Sequence, residues 1–346
     1  MIPVRTVIDT DTGVDDALAV LLAARSPELD VAAMTTVAGN AGVAECTRNV
    51  LLLAELAWPG SPPPVAAGAA APLRRPLTTA PEVHGEDGLG GAPGSLPQPA
   101  LIPTDTPAHD VLIETARADP GNVTLMATGP LTNLAMALAR DPGSLARFRR
   151  IVVMGGALRV AGNTGPHAEF NFYVDPEAAD IVLRAGLDVT VVPLDATTAV
   201  ELSRERLEEM PGWRDALALA LDLTAEPRAG GESDGERGSA PGVHVSPDDL
   251  LRVAVARALD HYIRFQFVES GLDAGYMHDP VALASAIAPG LLGTVETPLR
   301  VTTDGPERGR SVEAADARRP VRVAVNADRT AILELLTERV LKPLFG

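Results

Sequence analysis

The chain has 346 residues, 46% of them hydrophobic, ample for a buried core. Asp and Glu outnumber Lys and Arg by 46 to 29, a formal charge of −17, which argues against nucleic acid or an anionic membrane surface as partner. No apolar run reaches the roughly 18 residues of a membrane span, and the single cysteine, Cys46, excludes an internal disulfide framework and suits the cytoplasm.

Met1 to Ile8 reads as a short buried strand, and Asp9 arrives before any signal-peptide core could form. Four carboxylates follow within eight residues: Asp9, Asp11, Asp15 and Asp16. Good helix formers then run from Ala17 to Arg25. The acids therefore fall in the turn leaving the carboxyl end of a strand, where open α/β sheets bind ligands. Gly13 permits the sharp turn, and Asp15 and Asp16 suit a helix start. Plain helix capping accounts for two acids better than for four. Crowded carboxylates repel and take up protons unless a cation is present, and a hard divalent ion such as Ca²⁺ takes oxygen ligands of this kind. An EF-hand counted from Asp9 needs Gly and Glu where Val14 and Val20 stand, so it fails. A phosphotransferase Asp-x-Asp-x-Thr turn fits Asp9 and Asp11 but meets Gly13 in place of its Thr.

Asp30 to Val37 reads as a second strand, with Asn40 just past its end, and Ala44 to Leu56 as a helix. Val83 to Gly91 holds four glycines in its last seven residues and reads as a mobile loop or lid, opened by His84. His109–Ala118 is helical; Val123–Met126 is a strand leading through a Thr128-Gly-Pro turn into the helix Leu134–Arg140. After the strand Ile151–Met154, Asn163, Glu169 and Asn171 form a donor–acceptor set suited to hydroxyls. Val189–Leu194 is another strand. Residues 226–246, Gly-rich and poor in apolar residues, read as a flexible insertion. The helix Asp248–Glu269 carries Tyr262 and Phe265 on one face, read as core. His278-Asp279-Pro280 opens an Ala-rich helix; capping explains Asp279 but not His278. Val321–Val325 and Thr330–Leu341 close the chain as strand and helix. The repeated strand, Gly-turn, helix rhythm predicts one α/β domain with a Rossmann-like, mostly parallel sheet flanked by helices.

Asp9-Thr-Asp-Thr-Gly-Val-Asp-Asp16 closely resembles the signature of the inosine-uridine-type nucleoside hydrolases, Asp-x-Asp-Pro-Gly-x-Asp-Asp, with Thr12 where the family has Pro. The His84-Gly, Thr128-Gly-Pro-Leu-Thr-Asn133, Asn163-x5-Glu169-x-Asn171 and His278-Asp279-Pro280 segments follow in the family's order. The resemblance implies hydrolysis of a nucleoside N-glycosidic bond. It implies one Ca²⁺ held by Asp11, Asp16, Asp279 and the Thr128 carbonyl, with Asp11 also the general base. Asp15, Asn163, Glu169 and Asn171 would hold the ribose, with Asn40 on the same edge, and His278, aided by His84, would assist the departing base. A homodimer or homotetramer is expected. Two other classes stay open on the residues alone: a metal-dependent phosphohydrolase using Asp9, and a nucleoside-binding protein without turnover.

Overall fold

The N-terminal apolar run forms β1 (Val4–Thr10), whose last five residues are buried. The structure, a computed structural model, describes residues 2–91, 96–224, 246–314 and 319–346. The insertion read at 226–246 lies outside them, except for Ser246, whose hydroxyl caps the long helix Pro247–Ser270. β1 runs two residues further than the apolar pattern suggests, so Asp9 sits inside the strand and not in the turn.

From β1 the chain passes through α1 (Val14–Ala24) to β2 (Leu29–Thr36), then through α2 (Val43–Ala57) to the two-residue β3 (Val65–Ala66). A single helical turn, α3 (Pro81–His84), and α4 (Ala108–Ala118) lead back to β4 (Thr124–Ala127). Next come α5 (Thr132–Arg140), β5 (Arg150–Met154) and β6 (Val189–Val192). The eight-stranded sheet has the order β3-β2-β1-β4-β5-β6, then Val321–Ala327, then Leu292–Thr297. All pairings are parallel except the last, where Leu292–Thr297 runs antiparallel to Val321–Ala327.

The chain thus builds the sheet outward from β1 in one direction, then returns to β4 and builds in the other. This reversal between β1 and β4 opens a crevice at the carboxyl ends of the two strands, the place where such sheets bind ligands. Helices cover both faces. One apolar cluster packs α1, α2, Pro247–Ser270 and His278–Ile287 on one side; the other packs α4, α5 and Pro176–Arg184 on the opposite side. Leu18, Leu21 and Leu22 of α1 are at most 1% exposed; truncating any one to Ala should cost about 2–5 kcal/mol. Among the described residues, no helix is long and apolar enough to cross a membrane.

The structure departs from the sequence pattern in three places. The helix Trp213–Thr224 and the strands between Leu292 and Glu313 carried no pattern strong enough to be read. The predicted closing helix ends at Leu336 and continues through a wider turn, Thr337–Leu341. The Gly85–Gly91 loop is no open lid: Asp87, Gly88 and Leu89 are buried.

Candidate active site

The turn after β1 is held open by a residue without a side chain. A Cβ on Gly13 would stand 2.5 Å from the Asn40 Nδ2 and 2.7 Å from the His84 Nδ1, so glycine is required for space alone. Thr12 adopts φ 26°, which the ring of a proline, locked near −65°, could not reach. Gly13 is also the N-cap of α1, whose first turn carries Asp15 and Asp16.

Asp16 is the most firmly oriented of the acids. Its Oδ1 accepts from the hydroxyls of Thr10 and Thr128, and its Oδ2 accepts from the Gly13 N–H at 2.8 Å and the Asn40 Nδ2 at 3.1 Å. Asp11 accepts at Oδ2 from the Asn40 N–H, 2.8 Å away, while its buried Oδ1 has no hydrogen-bond partner. Asp279 begins the helix His278–Ile287, and its Oδ1 is likewise buried without a partner. Asp15, Asp16 and Asp279 each place a carboxylate oxygen so that all three lie within 4.8 Å of one another. Asp11 stands outside that tightest set. The Thr128 carbonyl, at the end of β4, accepts from the Asn171 Nδ2 at 2.8 Å.

Burial is the largest cause of an upward shift in Asp9, Asp11, Asp15 and Asp279. Asp15 is pushed to about 7, first by burial and then by the charge of Asp16. Asp11 rises by burial and the Asp16 charge; Asp279 rises by burial and the charges of Asp15, Asp16 and Asp11. Asp9 rises to about 6 by burial, against hydrogen bonds from Thr35 and Asn133. Such a group needs either protons or a cation. No Lys or Arg lines the adjoining cavity among the described residues. Orphaned carboxylate oxygens, an oxygen-only donor set and the absence of soft ligands together fit a hard divalent ion.

The cavity measures about 520 Å³, and Asp15, Thr128 and Asp279 line it at the acidic end. Asn40, Asn163, Glu169 and Asn171 line it too, so the structure gathers these sequence-predicted polar residues into one space. Their roles differ in freedom. Glu169 already accepts from three backbone N–H groups, those of Gly156, Asn171 and Phe172, as the cap of the short helix Phe170–Val174. Asn163 accepts from the Phe170 N–H at 2.9 Å and is exposed at the rim. Asp11 and Asp16 do not line the cavity; Asn40, which binds both, does.

Two histidines complete the wall. His84 accepts at Nδ1 from the Val14 N–H at 3.1 Å, which leaves its Nε2 to carry the hydrogen. Burial drives its pKa to about 3, so the ring is neutral at pH 7. The His278 Nδ1 lies 2.7 Å from the Thr197 hydroxyl, and burial lowers its pKa to about 4. Tyr262 stacks on His84 with ring centroids 5.8 Å apart, and Tyr276 stacks on His278 at 5.5 Å. Thr197 and Tyr276 gave no sequence signal. Tyr262, read as core, is in the apolar core and also lines the cavity; Phe265, read the same way, is only half-buried and lines the cavity with Gln266 and Glu269 on one helical stripe. The spacing 262, 265, 266, 269 would have revealed it.

Asp9 is elsewhere. It is fully buried within β1, its Oδ1 accepting from the Thr35 hydroxyl and the Asn133 Nδ2, and it does not line the cavity. Its place within β1 sets it apart from the acidic set of Asp15, Asp16 and Asp279.

Comparison with known proteins agrees with this geometry. Residues 6–334 match the family described as inosine-uridine preferring nucleoside hydrolase. The chain is 34% identical to Uridine nucleosidase 1 of Arabidopsis thaliana, covering 98% of this chain and 94% of that protein. It is 38% identical to the pyrimidine-specific ribonucleoside hydrolase RihA of Salmonella newport, over 96% of each. A solved plant nucleoside hydrolase superposes with a TM-score of 0.81 at 34% identity, over 98% of this chain and 99% of that one. The chain belongs to the inosine-uridine preferring nucleoside hydrolase family, and it is an enzyme acting on an N-glycosyl bond.

Proposed function

We propose that the cavity hydrolyses ribonucleosides to ribose and free base, with Ca²⁺ held by Asp11, Asp16, Asp279 and the Thr128 carbonyl. The observation that carries this is the convergence of buried carboxylates, side-chain amides and two stacked histidines on one cavity. A bound divalent ion would orient a water and lower its pKa. Asp11, whose Oδ1 is free of protein donors, would take the proton from that water. Asp15, which accepts a long 3.3 Å contact from the Asp279 N–H and lines the cavity, would hold a ribose hydroxyl. Asn163 and Asn171 would hold the sugar, and the Asn171 side-chain oxygen would face the positive charge that grows on it as the base leaves. His278, with His84, would donate to the departing base. The names of the relatives make uridine the first substrate to try.

The test is release of ribose and free base in equal amounts from uridine, inosine, cytidine or adenosine. Phosphate released from a phosphoester without any ribose would overturn the reading.

The raised carboxyl pKa values give a signed prediction for the metal. Asp11 and Asp279, raised by burial, and Asp15, raised to about 7 beside them, stabilise the metal-free fold at low pH. That contribution is lost as pH rises through about 7, where Asp15 ionises beside its neighbours. Ca²⁺ binds the ionised form, so it should raise the Tm more at pH 8 than at pH 6. His84 and His278, with lowered pKa values, act in the opposite sense below pH 6.5. Thermal unfolding at both pH values checks this; an equal Ca²⁺ effect at both would contradict it.

A further inference from the structure

The loop Gly85–Gly91 follows His84 directly, and a buried ion pair ties it to the long helix Pro247–Ser270. Asp87 is completely buried and Arg257 is 9% exposed. The Arg257 Nη2 donates to the Asp87 Oδ2 at 2.8 Å, and its Nε donates to the Leu89 carbonyl at 3.1 Å. One planar guanidinium thus grips two residues of the loop. The other oxygen of Asp87, Oδ1, accepts from the N–H groups of Leu89 and Gly91 at 2.8 and 2.9 Å. The Asp87 carbonyl accepts from the Asn49 Nδ2 at 2.7 Å. The loop is therefore wound around the Asp87 carboxylate.

The winding reaches His84. The Gly90 N–H donates to the His84 carbonyl at 2.7 Å. Gly90, at φ 79°, lies so close to the helix that a Cβ would stand 2.9 Å from the Ala258 Cα. The far side of His84 is fixed by the Val14 N–H on its Nδ1, and its face by Tyr262, five residues beyond Arg257 on the same helix. Arg257 itself does not line the cavity. Leu89, 2% exposed, already anchors the loop by apolar packing. A buried ion pair adds little to stability compared with apolar groups of similar size, but it imposes a geometry.

We propose that the Asp87–Arg257 pair is a positioning device that fixes the loop Gly85–Gly91, and through it the single ring orientation in which His84 faces the cavity. Arg257 is then a positioning residue of the reaction that touches no substrate. The kinetic part of this inference rests on the role given to His84 above; the structural part does not.

The test uses full-length protein with ¹⁵N-labelled histidine. Long-range ¹H–¹⁵N spectra report the tautomer of each ring, and His84 is identified by the signal lost in His84→Ala. The wild type should show His84 as the Nε2–H tautomer. Arg257→Met combined with Asp87→Asn removes both charges of the pair and keeps an oxygen for the Leu89 and Gly91 N–H groups. In that variant the His84 signals should shift to a mixture of tautomers while the other histidines stay unchanged; unchanged His84 signals would overturn the proposal. Arg257→Lys, which keeps the charge but not the fork, should lie between the two. In turnover, the charge-free variant should lose about 10- to 100-fold in kcat on uridine, the scale of a misplaced catalytic group. It should lose nothing further in a His84→Ala background, and losses that multiply would contradict action through His84. If His84→Ala alone leaves turnover unchanged, the role given to His84 fails, and the spectra still decide whether the pair positions its ring.

Discussion

Replacing Asp11 by asparagine should lower kcat by about 10²–10⁴-fold, the range for loss of a general base, while the protein still holds its metal. Asparagine keeps an oxygen at the same place and keeps the hydrogen bond from the Asn40 N–H. It removes the basicity of the one buried oxygen on Asp11 that no protein donor satisfies. Asp16 accepts four hydrogen bonds and has little freedom to change partner, so it is better placed as a fixed ligand than as a proton carrier. Asp15→Asn should instead raise KM more than it lowers kcat, because Asp15 faces the cavity where the ribose would sit. Elemental analysis beside the kinetics separates the cases. Normal turnover by Asp11→Asn would move the base to Asp15, the carboxylate that both lines the cavity and belongs to the tightest acidic set.

His278→Ala should divide substrates by their leaving groups. Inosine leaves poorly unless its ring gains a proton, so its kcat should fall by about 10²–10⁴-fold, as for a lost general acid. A p-nitrophenyl riboside leaves as a stable phenolate and should be slowed only slightly. Asp279, the next residue, should damage both substrates alike when lost, since it belongs to the acidic set. The physical ground is position: His278 is packed against the Thr197 hydroxyl and the Tyr276 ring and lines the cavity without belonging to the acidic set. Equal losses on both substrates would mean that His278 orients the sugar or the helix, and His84 would become the candidate acid.

Much of this was legible in the sequence because it is local. The strand, Gly-turn, helix rhythm gave the parallel sheet, and the acids near Gly13 lie within one turn of one another. Asn163, Glu169 and Asn171 likewise lie within nine residues of one another, in a loop and the helix start that follows it, and reach the cavity together. What was not legible depends on residues far apart in the chain. The Val14 N–H meets the His84 ring 70 positions away, and Arg257 meets Asp87 across 170. A loop with four glycines reads as mobile, and nothing nearby in the sequence shows that a distant guanidinium closes it. Asp9 was misplaced for a smaller reason: a strand boundary two residues late turns a candidate nucleophile into a buried link between β1, β2 and α5. Tyr262 is both fully buried and part of the cavity wall, so reading it as core was half of the answer.

The central claim is that the acidic end of this cavity works only when a hard divalent ion balances it. The most direct measurement is ribose release from uridine by protein stripped with a chelator, shown metal-free by elemental analysis, and then given Ca²⁺. The stripped protein should release no ribose, and adding Ca²⁺ should restore release. Full release by the metal-free protein would contradict it.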